Sequence, residues 1–88
     1  MTVRWSRRAL SDAAAIYAYI AADNEEAAGR AADRLYQAGE RLAQFPLMGR
    51  PSRFASRREL VVGQHVIIYA IRRGEVHILT IEHGSRRR

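Results

Sequence analysis

Three histidines, nine carboxylates and fifteen arginines are the side chains of this 88-residue chain that could move protons or hold phosphate. Proton-transfer chemistry needs a general base and a general acid, and chemistry on a phosphate also needs cations. His83 is of the right type to be a base near neutral pH, and Glu59 and Glu82 are carboxylates on strand candidates. Other chemistries are closed. With no cysteine there is neither a thiolate metal site nor a disulfide, and with no lysine there is no Schiff base or amine proton donor. His65, His77 and His83 sit on separate elements, and without convergent geometry they make no metal site, so neither metal nor cofactor is expected.

Each of these residues also has a plainer reading. His83 shares strand parity with His77, Leu79 and Ile81 and would leave its strand at the exit, where packing or capping competes with direct function. His65 and His77 stand at strand starts as ordinary edge residues. Glu59 beside Arg58 reads as an ion pair supporting a strand. Arg50, after Gly49, reads as a loop-orienting side chain bonded to carbonyls. Trp5, Tyr17, Tyr36 and Phe45 read as core or hairpin contacts.

Every one of the fifteen cations is arginine, and alanine also occurs fifteen times, the pattern of GC-rich coding. The consequence is chemical whatever its origin: guanidinium stays charged and favours bidentate contact with phosphate or carboxylate. A net charge of +6 suits nucleic acid or an acidic protein as partner and does not separate them. No apolar run approaches the roughly 18 residues of a membrane span, and the N-terminus lacks a signal-peptide core. With the absence of cysteine, that points to the cytoplasm.

These residues must be held by one domain, residues 1–88, able to bury roughly 60–65% of its unfolded surface. Thr2 to Trp5 is a short strand. Ser6 caps a helix whose apolar positions Ala9, Ala13, Ile16 and Ile20 step by helical spacings. Asp23-Asn24 breaks it, and Asn24 caps a second helix with Glu25 and Glu26 at its positive end. There the stripe Ala28, Ala31, Leu35, Ala38, Leu42, Phe45 runs until Pro46 stops it, and Gly39 implies close approach of a neighbour. Residues 47–57 form a loop. Strands follow at 58–62, 65–71 and 76–82, with turns at Gly63-Gln64 and around Arg73-Gly74. The order β-α-α-β-β-β predicts an α+β fold, an antiparallel helical hairpin on one face of a small, mainly antiparallel sheet.

The strand at 65–71 is apolar on both faces: Val66, Ile68 and Ala70 on one, Ile67, Tyr69 and Ile71 on the other. One layer of helices covers one face, so another chain is expected over the second, meeting Val66, Ile68, Tyr69, Ile71 and Leu79. Parity leaves open which face Tyr69 takes.

Several short motifs then resemble a known family. They are Val3-x-Trp5-Ser6, Ala9 with Asp12 and Ile16, Tyr19-Ile20, Ala27-Ala28, Leu42-x-x-Phe45-Pro46-x-x-Gly49-Arg50, Arg58-Glu59-Leu60, Ile68-Tyr69, and Ile78-x-x-Ile81-x-His83-Gly84-x-Arg86. In this order they resemble the ParE branch of the RelE/ParE superfamily, toxins of bacterial type II toxin–antitoxin modules, over nearly the whole chain. The resemblance implies a toxin neutralised by a ParD-like antitoxin in a hetero-oligomer. ParE-type members poison DNA gyrase; RelE-type members cleave messenger RNA on the ribosome.

The residues lean toward gyrase. RelE-type nucleases resemble one another in using lysines and arginines from the sheet and a tyrosine near the C-terminus, whereas this chain has no lysine and no tyrosine after Tyr69. Gyrase poisoning by binding is therefore the reading, with Arg58, His83, Arg86, Arg87 and Arg88 as target contacts that also suit DNA phosphate. The alternatives are a ribosome-dependent ribonuclease with Arg58, Glu59, His83 and Arg86 as its site, Arg58 facing the same cleft as Arg86, and a non-toxic interaction module.

Overall fold

Ser6 shows how local chemistry starts this architecture. In the computed structural model, which describes residues 1–84, its Oγ accepts from the Ala9 amide at 2.9 Å and donates to the Leu79 carbonyl at 2.7 Å. One hydroxyl thus caps the first helix and ties it to the last strand. Strand β1 (Thr2–Trp5) leads into helix α1 (Arg7–Ala21). Asn24 Oδ1 accepts from Ala27 N at 3.0 Å to cap helix α2 (Glu25–Arg41), whose first turn carries Glu25 and Glu26. Strands β2 (Arg50–Pro51), β3 (Arg58–Val62), β4 (His65–Arg72) and β5 (Glu75–His83) follow. The sheet order is β1-β5-β4-β3-β2, with β1 parallel to β5 and the other pairs antiparallel. The α+β fold expected from the sequence is the one observed.

The core lies between the helices and one sheet face, joining Ala9 and Ala13 to Leu35, Leu42, Ile67, Tyr69 and Ile78. Gly39 sits where α2 crosses β1. A Cβ there would overlap the Trp5 ring and come within 2.9 Å of Ile78 Cδ1. Trp5 Nε1 in turn donates to Glu40 Oε2 at 2.8 Å, and its ring lies 4.9 Å from that of Tyr36.

Four expectations are corrected. Helix α2 stops at Arg41, four residues before Phe45. The amides of Leu42, Ala43 and Gln44 each bond three residues back, so the chain tightens into a turn ahead of Pro46 and swings Phe45 into solvent, as Tyr17 also is. The loop at 47–57 contains the two-residue strand β2, too short for any periodic signal. A bulge places Leu79 between Ile78, paired with Tyr69, and Thr80, paired with Ile68. It breaks the parity along β5, so Ile78 and Ile81 both face the core although three residues apart.

The fourth concerns the two-faced strand. Val66, Ile68 and Ala70 do lie opposite the helices, yet they are 5%, 4% and 0% exposed in the single chain. Register sets Glu59 and Thr80 on either side of Ile68, Val61 and Glu82 beside Val66, and His77 beside Ala70. The aliphatic stems of these rows flank the apolar centre. The outer face needs no second chain to bury β4.

Candidate functional site

Two places gather the residues singled out from the sequence. The first is a cleft of about 710 Å³ between α1 and the Gly63-Gln64 end of the sheet, lined by Arg8, Asp12, Tyr19, His65, Glu82 and His83 among others. His65 and His83 are cross-strand partners, and their rings meet edge to face with centroids 5.5 Å apart. Partial burial, and then the charge of His83, hold the His65 imidazole below its ordinary value. On the opposite wall, Asp12 receives Arg8 Nε on Oδ1 at 3.0 Å and the Ile81 amide on Oδ2 at 2.9 Å. Helix α1 therefore covers the edge of β5 beyond the point where β1 ends, with Ser6 on Leu79 O and Asp12 on Ile81 N. Thr80 Oγ1 donates to Glu82 Oε2 at 3.3 Å.

The second place is the turn at 45–49. The Tyr69 hydroxyl donates to Pro46 O at 2.7 Å and accepts from Gly49 N at 3.0 Å. Arg58 Nη2 donates to Gly49 O and, at 3.3 Å, to Leu47 O. A Cβ on Gly49 would lie 2.5 Å from Glu59 O and 2.8 Å from the Tyr69 hydroxyl, so only glycine lets the turn come this close. The loop-orienting arginine is Arg58, where the sequence pointed to Arg50. Arg50 instead pairs with Glu59 at 3.3 Å across β2 and β3, and the expected Arg58–Glu59 pair does not form because strand neighbours point to opposite faces.

The nuclease constellation drawn from the sequence is therefore not assembled among the described residues. Arg58 serves the turn and does not face the cleft that holds His83. Glu59, 7% exposed, lies on the outer face opposite Ile68, three residues along β4 and about 10 Å from the His65–His83 pair. Arg86, Arg87 and Arg88 lie outside the described residues. The five residues expected to meet another chain do not share a surface. Val66 and Ile68 are buried on the outer face, Tyr69 is fully buried and turned toward the helices, Ile71 packs on the same core, and Leu79 is half-buried in the bulge. His65, read from the sequence as an ordinary edge residue, is the one missed. Its cross-strand register with His83 starts at the Arg73-Gly74 turn and is shifted by one at the Leu79 bulge, so counting from the turn pairs His65 with Glu82 instead. Among the described residues no group of three or more histidine or carboxylate side chains is arranged to hold a metal. No helix is long and apolar enough to cross a membrane.

With this geometry in hand, residues 3–88 match the family model for the ParE toxin of the type II toxin–antitoxin system parDE. A relative named as toxin Y4kP in Sinorhizobium fredii is 43% identical over 84 residues, covering 93% of this chain and 86% of the relative. Toxin RelE2 of Caulobacter vibrioides is 42% identical, covering 96% of each. Among solved structures, the chromosomal ParDE system from P. aeruginosa superposes with a TM-score of 0.83 at 26% identity over 94% of this chain and 95% of that one. The RelBE2 toxin–antitoxin complex of Mycobacterium tuberculosis shares the fold, with a TM-score of 0.70 at 22% identity, covering 93% and 95%.

Proposed function

Because the chain belongs to the ParE toxin family of type II toxin–antitoxin systems, we propose that it poisons DNA gyrase by binding, in the cytoplasm, and is neutralised by a ParD-like antitoxin in a hetero-oligomer. The observation that carries the reading is the dispersal of the nuclease candidates. Arg58 is committed to two loop carbonyls, Glu59 is paired with Arg50 on the far face, and no lysine stands in for either. A toxin whose described residues do not assemble that site can still act if the damage comes from its target's chemistry, here the DNA break that gyrase makes and reseals. Arginines supply the contact with phosphate or an acidic protein surface, with Arg86, Arg87 and Arg88 as the tail contribution.

A RelE-type ribonuclease is the second reading, favoured by one observation. The His65–His83 pair opens into the cleft of about 710 Å³, beside Arg8 and Glu82, and one relative carries the RelE2 name. Inducing the chain alone in cells separates the two. Gyrase poisoning changes plasmid topology and leaves transcripts whole. Site-specific cuts in translated messages, abolished by His83→Ala, would replace this reading with the nuclease.

A further inference from the structure

The turn at 45–49 is built to be firm, yet it spends its firmness on presenting apolar side chains to water. Phe45, Leu47 and Met48 are 54%, 68% and 37% exposed. With Pro46 and Arg41 they line a shallow depression of about 500 Å³. Their backbone is pinned from below by Tyr69 at Pro46 and Gly49, by Arg58 at Leu47 and Gly49, and internally by Met48 N on Phe45 O at 3.0 Å. A contiguous apolar patch of this kind marks an interaction surface. A pre-organised one loses little conformational entropy when it binds.

The surrounding charge says what covers it. Residues 41–58 hold five arginines and no acid. Of the two carboxylates that bound this stretch, Glu40 accepts from Trp5 Nε1 and Glu59 is buried on the opposite face against Arg50. Arg53 lies over the ring of Phe54, itself half exposed, at 5.4 Å from its centroid. A nucleic acid would want a run of flat rings to stack on, whereas Phe45 is the one ring lining the depression and Pro46, Leu47 and Met48 offer aliphatic contact. A peptide with apolar anchors between carboxylates matches both parts. A toxin held in a lasting complex can carry such a patch because its partner keeps it covered.

We propose that residues 45–48 and the arginines flanking them are the docking surface for an acidic, apolar segment of the antitoxin. The inference rests on the reading of this chain as a toxin with a neutralising antitoxin, and it adds where the antitoxin is held and by what chemistry.

Titration calorimetry of the purified chain with its full-length ParD-like antitoxin tests the point. Melting curves confirm that each variant is folded, and Leu47→Ser replaces the charged change if that one melts early. Leu47→Glu combined with Met48→Glu is expected to weaken binding by at least about a hundredfold. Arg53→Glu combined with Arg57→Glu is expected to weaken it about tenfold and to flatten its dependence on salt. Antitoxin affinity within twofold of wild type in the first double variant overturns the proposal. If toxicity is lost in that case the surface belongs to the target, and if affinity for a DNA duplex is lost it belongs to nucleic acid. A wild-type chain with no affinity for the antitoxin overturns the neutralisation reading itself, so the two failures are distinct.

Discussion

The Tyr69 hydroxyl, fully buried on β4, holds both ends of the turn from Pro46 to Gly49, donating to the first at 2.7 Å and accepting from the second at 3.0 Å. Chain segments twenty and more residues apart meet at one oxygen. Tyr69→Phe keeps the ring in the core and leaves the Gly49 amide and the Pro46 carbonyl without this partner. The expected cost is about 1–3 kcal/mol, read as a lower urea midpoint at unchanged slope. Hydrogen exchange should quicken at Gly49 N while the amides of β4 and β5 stay protected.

Gly39 is a second close approach. Alanine would gain about 1 kcal/mol of helix propensity, but its Cβ would overlap the Trp5 ring and Ile78. Overpacking of this kind costs about 1–3 kcal/mol, so Gly39→Ala should lower the melting temperature. A raised melting temperature would mean that Trp5 moves aside freely, and its bond to Glu40 with it.

Acid should weaken the cleft end of the sheet. Partial burial and the His83 charge depress the His65 pKa in the folded state, so the unfolded chain takes up a proton first. The His65 contribution is then complete above its ordinary value of about 6.5 and is lost as pH falls through that value toward the depressed one. Melting temperature is expected to drop between pH 7 and 5, and His65→Gln should flatten that drop. His77→Gln, on the outer face beside Glu75, should leave it in place. Equal slopes in His65→Gln and wild type would remove His65 as the cause.

Local chemistry was legible in the sequence, and tertiary choices were not. Ser6 and Asn24 cap helices because a side-chain oxygen two or three residues ahead of a free amide suffices, and Gly39 reported its close neighbour by its cost. The end of α2 was overrun because Leu42 keeps its place in the core after the helix has stopped, so the apolar stripe outlasts the element. Tyr69 could not be assigned to a face by parity, since β4 is apolar on both. The bulge at Leu79 defeated parity along β5 and left no mark in the residues themselves. Arg58 and Arg50 exchanged their expected partners because β2, the strand that brings Arg50 opposite Glu59, is two residues long.

The most direct measurement of the central claim uses the purified chain with gyrase and a relaxed plasmid, run beside ribosomes translating a defined message. The expected result is lost supercoiling or accumulated cleaved plasmid, reversed by the antitoxin, with the message intact. Unchanged supercoiling together with cut message would contradict it, and would move the function to the His65–His83 cleft.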